Sequence, residues 1–501
     1  MSICRLINGA CRQLYRGEYK RFRSASNIGH IQNEYLMSLL RKNAGTLYGK
    51  KFVFAEIDSY DKFRRSVPLT KYEDYESYVG EIANGAENVL TAEKVLLFEP
   101  TSGSSGGKKL IPYTASLKEE FRRGIKPWLY DIYTNVRGVT AGKSYWSITP
   151  VTAGKTYTEA GIPIGFEEDA AYFGRIEQFL MNRIFAVDGS VKFSGSMEEF
   201  YFDTALQMLN CGKLTLISVW NPTFLTILCK HIRDSFERLR DRIPRVRADE
   251  VYAGISEDRY DRVFPDLRIL SCWADGSAAE DAKELQKLFP SVYVQPKGLL
   301  ATEYFASFPL VGEEGGRLSV NSHFFEFMHD GEIFTADALE KGEYELIVTT
   351  GGGLYRYMTG DVIEVLEAYP DMPPRIRFLR RSGITSDLCG EKLTDDFVRS
   401  VCAKLGIQDK FCLLAPEGKG YVLYTSGEVA ADELDKALRE SYHYNYCRDL
   451  GQLLPARVVA VSDNAGEKYL DRLVSDGMRL GDIKPAFLSR KRGWNHYFDE
   501  R

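Results

Sequence analysis

Apolar positions near the start of the chain fall at helical spacing. Ile3, Leu6, Ile7, Ala10, Leu14 and Tyr15 gather on one side of a helix, which predicts an amphipathic first element. IQNEYLMSLLRKNAGTLYGKKF carries the same periodicity before short polar segments take over toward residue 90. The pattern then changes to short strand-like runs: KVLLFEP, KLIPYT, SYWSITPV, LTLISVW, LRILSCW, SVYVQ and YELIVTT. Between LRILSCW and SVYVQ, AAEDAKELQKLF repeats its alanines and leucines every three to four residues. Strand, helix and strand in that order predict a βαβ unit within a mainly α/β body.

A break falls at EAYPDMPPRIRFLRRSGITSD, where Pro370, Pro373 and Pro374 are expected to rule out a continuous helix or a central strand. Beyond it, KFCLLAP-EGKG-YVLYT predicts a hairpin, ADELDKALRESYHYNYC a helix, ARVVAVS a strand and AGEKYLDRLVSD another helix. The expected fold class is therefore α/β. A large multi-layer N-terminal domain of β-sheets and packed helices covers residues 1–380, and a small α+β C-terminal cap domain covers residues 381–501. No internal repeat or low-complexity tract interrupts either part.

At 501 residues the chain exceeds what one core can organise, which agrees with two domains. With 44% apolar and 27% charged residues the composition is that of a soluble globular protein. A net charge of −5 offers no excess of Lys and Arg for a nucleic acid, and no apolar run is long enough to span a membrane. The nine cysteines are scattered and never spaced CxxC, which fits reduced thiols in a cytoplasmic protein better than disulfides or a zinc site. Of the six histidines, His323 and His329 are close but have no third ligand nearby. The Arg-rich, acid-poor first 25 residues have the composition of an organelle-targeting peptide, but an amphipathic first helix is the expectation. A monomer is expected.

The stretch LLFEPTSGSSGGKKLIPYT, residues 96–114, carries the first candidate chemistry. A Walker loop needs GxxxxGK followed by Ser or Thr and must open a helix. Here Gly103 to Gly107 is one residue short, Lys109 stands where the metal-binding hydroxyl should be, and strand-like KLIPYT follows. Another phosphate loop survives: Thr101, Ser102, Ser104 and Ser105 offer hydroxyls, three glycines let backbone N–H groups converge, and Lys109 adds charge. Gly and Ser also make linkers. The position between two apolar strands argues against a linker, because a hairpin holds its ends fixed.

Two more segments add acids. Glu303 follows Thr302 beyond a predicted strand in QPKGLLATEYFASFP, and Asp361 is expected in a turn within TTGGGLYRYMTGDVIEV. Either acid alone would be an ordinary turn or solvated residue. A phosphate loop, a carboxylate for Mg2+ and an Asp for two ribose hydroxyls would together make a nucleoside triphosphate site.

In this order and spacing, the three segments resemble the signature of adenylate-forming enzymes of the firefly-luciferase type. The chain is most similar to the Gretchen Hagen family of acyl-acid amido synthetases, the auxin- and jasmonate-conjugating enzymes of plants and their bacterial relatives, and would be of the bacterial type. FRRSVPLTKYEDY, GAENVLT, SVWNPTFL and SDLCGEKL extend the resemblance over most of the chain. It implies that Ser102, Ser104, Ser105, Gly106 and Lys109 embrace the β- and γ-phosphates of ATP. Thr302 and Glu303 would meet the α-phosphate and Mg2+, while Asp361 and Arg381 would hold the ribose. Asp275, Gly276 and Ser277 would give backbone to the adenine slot, and Lys484 would be the mobile lysine of the adenylation step. One position departs: the aromatic expected four residues before the Glu is Leu299, with Tyr304 and Phe305 after it instead.

The implied activity joins a small-molecule carboxylic acid to an amine or amino acid. ATP first converts the acid to an acyl-adenylate, and a cap rotating about a hinge near residues 380–385 would shield that adenylate from water. The acyl pocket should be apolar, with Trp128, Tyr145, Trp146 and Trp220 as candidate walls. Transfer to coenzyme A or a carrier thiol is the alternative within the superfamily, and a non-catalytic binder of a hormone-like acid is the alternative outside it.

Overall fold

The computed structural model describes residues 3–102, 108–148, 156–165, 175–275, 278–369, 371–382, 385–462, 464–476 and 486–498. The chain falls into two compact units, Met1–Pro100 with Leu110–Arg380, and Thr101–Lys109 with Arg381–Arg501. No helix among the described residues is long and apolar enough to cross a membrane.

The larger unit contains a parallel sheet of four strands, Lys143–Trp146, Leu214–Ser218, Ile269–Cys272 and Tyr293–Pro296, adjacent in that order. The two middle strands are buried at every position, which is why they read as unbroken apolar runs. Successive residues feed two different cores: Leu216 and Ile269 pack to one side, Ile217 and Leu270 to the other. Helix Ala279–Leu288 links the last two strands, so the predicted βαβ unit is present.

A seven-stranded sheet lies in the same unit. Its long strands Gly342–Thr349, Tyr357–Tyr369 and Met372–Arg381 are consecutive neighbours, and Gly316–Leu318 pairs antiparallel on the far side of Met372–Arg381. A central strand was not expected across these prolines. Pro373 and Pro374 are tolerated because they occupy its second and third positions, ahead of Arg375 and Ile376, where pairing with Gly316–Leu318 takes place. Pro370 lies outside the described residues.

The first helix, Ile3–Arg23, differs in its buried face. Ile7, Cys11 and Tyr15 are buried at four-residue steps, whereas Ile3, Leu6 and Leu14 are exposed. Leu6 and Leu14 each precede a buried residue by one position, a rotation of about 100° off the stripe.

The segment 96–114 is a hairpin-like pair of strands, Leu97–Ser102 and Lys108–Tyr113, neighbours in a four-stranded sheet. In the smaller unit, Cys412–Glu417 and Gly420–Thr425 form the predicted antiparallel hairpin, and Arg457–Ala460 adds a parallel strand. The helix expected over ADELDKALRESYHYNYC is two helices, Ala431–Leu438 and Tyr442–Asp449. Ser441 starts the second by accepting the Tyr444 N–H, a cap that competes with helix continuation.

Candidate active site

Four parallel strands ending on one edge leave their last residues around a common space, and here that space is a cavity. Trp146 and Ser218 end their strands, Trp220 lies two residues past Ser218, and Lys297 follows Pro296. Phe121, Ile125 and Trp128 of helix Ala115–Asn135 close one side, and Leu300, Phe305 and Phe308 another. The cavity has an empty volume of about 630 Å³ including its mouth, within the range of small-molecule sites. Three of the four aromatic candidates line it. Tyr145 does not: one residue from Trp146 on a strand, it faces the opposite core and stacks on Phe224 at 6.4 Å.

The wall is held tightly. Trp128 donates its indole N–H to the buried Gln295 Oε1 at 3.0 Å, which fixes the ring plane. Gly298 passes so close to the next segment that a Cβ there would lie 2.1 Å from the Ser307 carbonyl oxygen. Only glycine fits.

The same segment carries the Thr-Glu pair. Leu300 and Phe305 form an antiparallel bridge, and Ala301 and Tyr304 exchange backbone hydrogen bonds, so Thr302 and Glu303 occupy the tip of a tight turn. Tyr113 donates to the Thr302 carbonyl at 2.6 Å, tying the turn to strand Lys108–Tyr113. Glu303 is buried, and it is one of the acids that add to burial in pushing the Tyr72 hydroxyl up to about 12.

Asp361 was expected in a turn, but it lies within strand Tyr357–Tyr369. The strand carries an irregularity there: its register against Gly342–Thr349 shifts between Glu345 and Ile347, and Gly360 has φ +73°. Thr359 donates to the Leu346 carbonyl at 2.8 Å and accepts the Asp361 N–H at 3.0 Å, which fixes the bulge. Tyr304 donates its hydroxyl to Asp361 Oδ2. One residue past Glu303, that tyrosine ties the Thr302–Glu303 hairpin to Asp361. Tyr304 is fully buried in this role and Phe305 faces the cavity, so neither offers an open ring in place of the aromatic that Leu299 lacks.

Asp275 follows strand Ile269–Cys272 and sits beside Met372–Arg381. Burial pushes its carboxyl up to about 6, against the pull of the Arg377 guanidinium and the Phe378 backbone N–H. Ser102 and Lys109 lie on the paired strands around residues 103–107, and Arg381 ends Met372–Arg381. Ser104, Ser105, Gly106, Gly276, Ser277 and Lys484 lie outside the described residues.

Sequence reasoning missed the frame behind the site. Glu120 of helix Ala115–Asn135 accepts the Tyr35 hydroxyl and the Gly351 N–H, the latter at 2.7 Å. Its other oxygen lies 2.6 Å from His323 Nδ1. His323 Nε2 accepts the Phe305 N–H at 2.9 Å, which leaves Nδ1 to carry the ring proton toward Glu120. One carboxylate thus connects the glycines of residues 351–353 to the Thr302–Glu303 hairpin. The signal available in the sequence was an acid at a position on the apolar side of a helix.

The GH3 family N-terminal domain matches residues 19–252, the GH3 family central domain 316–381 and the GH3 family C-terminal domain 396–493. A putative indole-3-acetic acid-amido synthetase, GH3.10 of Oryza sativa subsp. japonica, is 25% identical over 80% of this chain and 87% of its own length. The 4-substituted benzoates-glutamate ligase GH3.12 of Arabidopsis thaliana is 23% identical over 92% of each chain. Among solved structures, AtGH3.15 acyl acid amido synthetase in complex with 2,4-DB superposes with a TM-score of 0.67 at 18% identity, covering 98% of this chain and 95% of that one. A 2-hydroxyisobutyryl-CoA ligase, at TM-score 0.53 and 12% identity over 94% of this chain and 90% of its own, shares the fold alone. With three domain matches in chain order, a cavity at the strand ends and a Thr-Glu turn tied to a bulged Asp, the chain belongs to the GH3 family of acyl-acid amido synthetases.

Proposed function

We propose that this chain is an ATP-dependent acyl-acid amido synthetase, which activates a carboxylic acid as an acyl-adenylate, releases pyrophosphate, and passes the acyl group to an amino acid. The observation that carries the reading is the hairpin of residues 300–305. Leu300 and Phe305 at its base line the aromatic cavity, while Thr302 and Glu303 at its tip adjoin Tyr304, whose hydroxyl bonds Asp361. A site that joins an apolar acid to a nucleotide needs these two surfaces side by side.

A carboxylate resists amide formation because its resonance must be broken and oxide is a poor leaving group. Displacement of pyrophosphate from ATP by the acid gives the acyl carbon a good leaving group, AMP. In this reading Ser102, Ser104, Ser105, Gly106 and Lys109 hold the outer phosphates, where negative charge accumulates. Asp361 accepts from two ribose hydroxyls with Arg381 beside them, and Asp275, Gly276 and Ser277 border the base. Thr302 and Glu303 offer a hydroxyl and a carboxylate, all-oxygen donors of the kind Mg2+ prefers. Bound there, Mg2+ would neutralise phosphate charge. Residues 381–501 act as a mobile cap that brings Lys484 to the first half-reaction and withdraws it for the second. All nine cysteines are free, which supports a cytoplasmic location, and a monomer is the working state.

The test is ATP–pyrophosphate exchange across aromatic, arylalkyl and aliphatic acids. Exchange that no acid raises above the acid-free rate would sink the proposal. Supplying the adenylate with amino acids in one arm and coenzyme A in the other decides the acceptor. Lys484→Ala should slow exchange far more than aminolysis of supplied adenylate.

A further inference from the structure

The smaller unit brings together three ligating side chains that the synthetase reading leaves unused. Cys389 and Glu391 stand in the turn between the paired strands Thr385–Ser386 and Leu393–Thr394, and Cys447 stands on helix Tyr442–Asp449. They are 5%, 0% and 3% exposed, and one donor atom from each lies within 4.8 Å of the others. The Glu391 carboxylate is held in place: Oε1 accepts the Leu388 N–H at 2.6 Å and the Tyr421 hydroxyl, and Oε2 accepts the Cys389 N–H at 2.8 Å. Two thiol protons tie the cluster together. Cys389 Sγ donates to Glu391 Oε2 at 3.4 Å, and Cys447 Sγ donates to the Cys389 carbonyl oxygen at 3.5 Å. Spacing along the sequence hides this arrangement, because 58 residues separate the two cysteines.

We propose that Cys389, Glu391 and Cys447 form a buried structural site for a thiophilic divalent cation, Zn2+, which staples the turn to the helix. Binding exchanges one Zn2+ for the two thiol protons: two S–H bonds break, two Zn–S bonds form, and both protons leave to solvent. Two neutral thiols and a carboxylate carry a single negative charge; two thiolates, a carboxylate and Zn2+ carry the same. The exchange therefore avoids the cost of bare thiolates in an apolar core. Tetrahedral Zn2+, with bonds of about 2.3 Å to sulfur and about 2.1 Å to oxygen, sets its donors about 3.5–3.8 Å apart. Cys389 Sγ and Glu391 Oε2 already stand near that spacing, and a shift of at most about 1 Å by Cys447 closes the rest. The Cys389 carbonyl oxygen adjoins the cluster as a fourth donor. Two sulfurs select Zn2+ over Mg2+ or Ca2+, which favour oxygen alone. The bonds from Leu388, Cys389 and Tyr421 then serve as the outer shell that orients a ligating carboxylate.

Because the site is buried, the metal enters as the chain folds, so the test loads it during synthesis. The full chain is produced in minimal medium with Zn2+ or with Co2+, passed over a chelating resin, and read by elemental analysis and by the near-ultraviolet thiolate-to-cobalt absorption. The wild-type chain should retain about one metal ion, and the cobalt form should show that absorption. Cys447→Ser should lose about 10-fold or more of the retained metal, as should Glu391→Gln, which keeps the shape of the turn. Cys402→Ala, in the same core but outside the cluster, should retain it. A wild-type chain that retains neither metal overturns the proposal, whether or not any variant folds. So does cobalt absorption that survives Cys447→Ser, which would place the metal on other cysteines. A Cys389–Cys447 disulfide in the wild type, insensitive to chelator and opened by a reducing thiol, overturns it in favour of a redox pair. Nothing in this readout depends on ATP or an acid, so its outcome is separate from that of pyrophosphate exchange.

Discussion

Two sheets of the larger unit, the parallel one and the seven-stranded one, deliver functional side chains in opposite ways. The parallel sheet does so at its ends: Trp146, Ser218, Trp220 and Lys297 sit on or just past the last residues of their strands. The seven-stranded sheet does so from mid-strand, where a bulge at Gly360 presents Asp361. A strand end needs no distortion to present a side chain, because the backbone ladder has already stopped. A mid-strand site must interrupt the ladder and be braced in return. The braces are visible: Thr359 on both neighbours, the Tyr304 hydroxyl on Asp361, and a buried ion pair of Arg356 with Glu326 at 2.9 Å. The antiparallel site should therefore be the more fragile of the two.

The hardest blow to that contrast is Glu326→Gln. Glu326 and Arg356 are 1% and 4% exposed, and Tyr60 also donates to Glu326 at 2.9 Å. Removing one charge leaves the guanidinium buried without its counter-ion, a loss of about 3–5 kcal/mol by chemical denaturation. A loss no larger than that of an exposed ion pair would show that the sheet needs no such brace. Next comes Asp361→Ala, expected, on the proposed ribose-binding role, to lower acid-dependent pyrophosphate exchange about 100-fold in kcat/KM for ATP. Tyr304→Phe keeps the carboxylate but frees its orientation, and about 10-fold is expected, mainly as a higher KM for ATP. Tyr304→Phe matching Asp361→Ala would mean that orientation is everything, whereas no effect would mean that the bulge alone fixes Asp361.

The smallest effect probes the parallel end. The Asp275 carboxyl is raised from 3.8 to about 6 in the folded chain, chiefly by burial. Between those values the folded state binds more proton than the unfolded one, so stability falls as pH rises from about 4 to about 6. Asp275→Asn should flatten that part of the stability–pH profile, measured by denaturant midpoints at a series of pH values. A wild-type profile already flat in this window would remove the assignment.

How much of this could be read from the chain follows the same contrast. Buried parallel strands are continuous apolar runs, so LTLISVW and LRILSCW were legible as strands. Trp220 at the end of LTLISVW stood out as a candidate wall, although Tyr145 could not be told from Trp146 without the alternation of the strand. The bulge was not legible, because TGD between apolar runs has turn composition and only the pairing partner reveals a register shift. Pro373 and Pro374 misled for a related reason, since their cost depends on where in the ladder they fall. In ADELDKALRESYHYNYC, helical periodicity continued through a serine whose side chain starts a new helix. The contacts of Glu120 and His323 join residues far apart in sequence, and no local pattern announces them.

The close passage at Gly298 has a practical consequence for anyone wishing to recut this enzyme. With the Ser307 carbonyl oxygen 2.1 Å from where a methyl would stand, that part of the chamber cannot be padded to exclude large acids. Redesign must come from the aromatic side, by trimming Trp146 or Trp220, so the set of acceptable acids can be widened by single substitutions more readily than it can be narrowed.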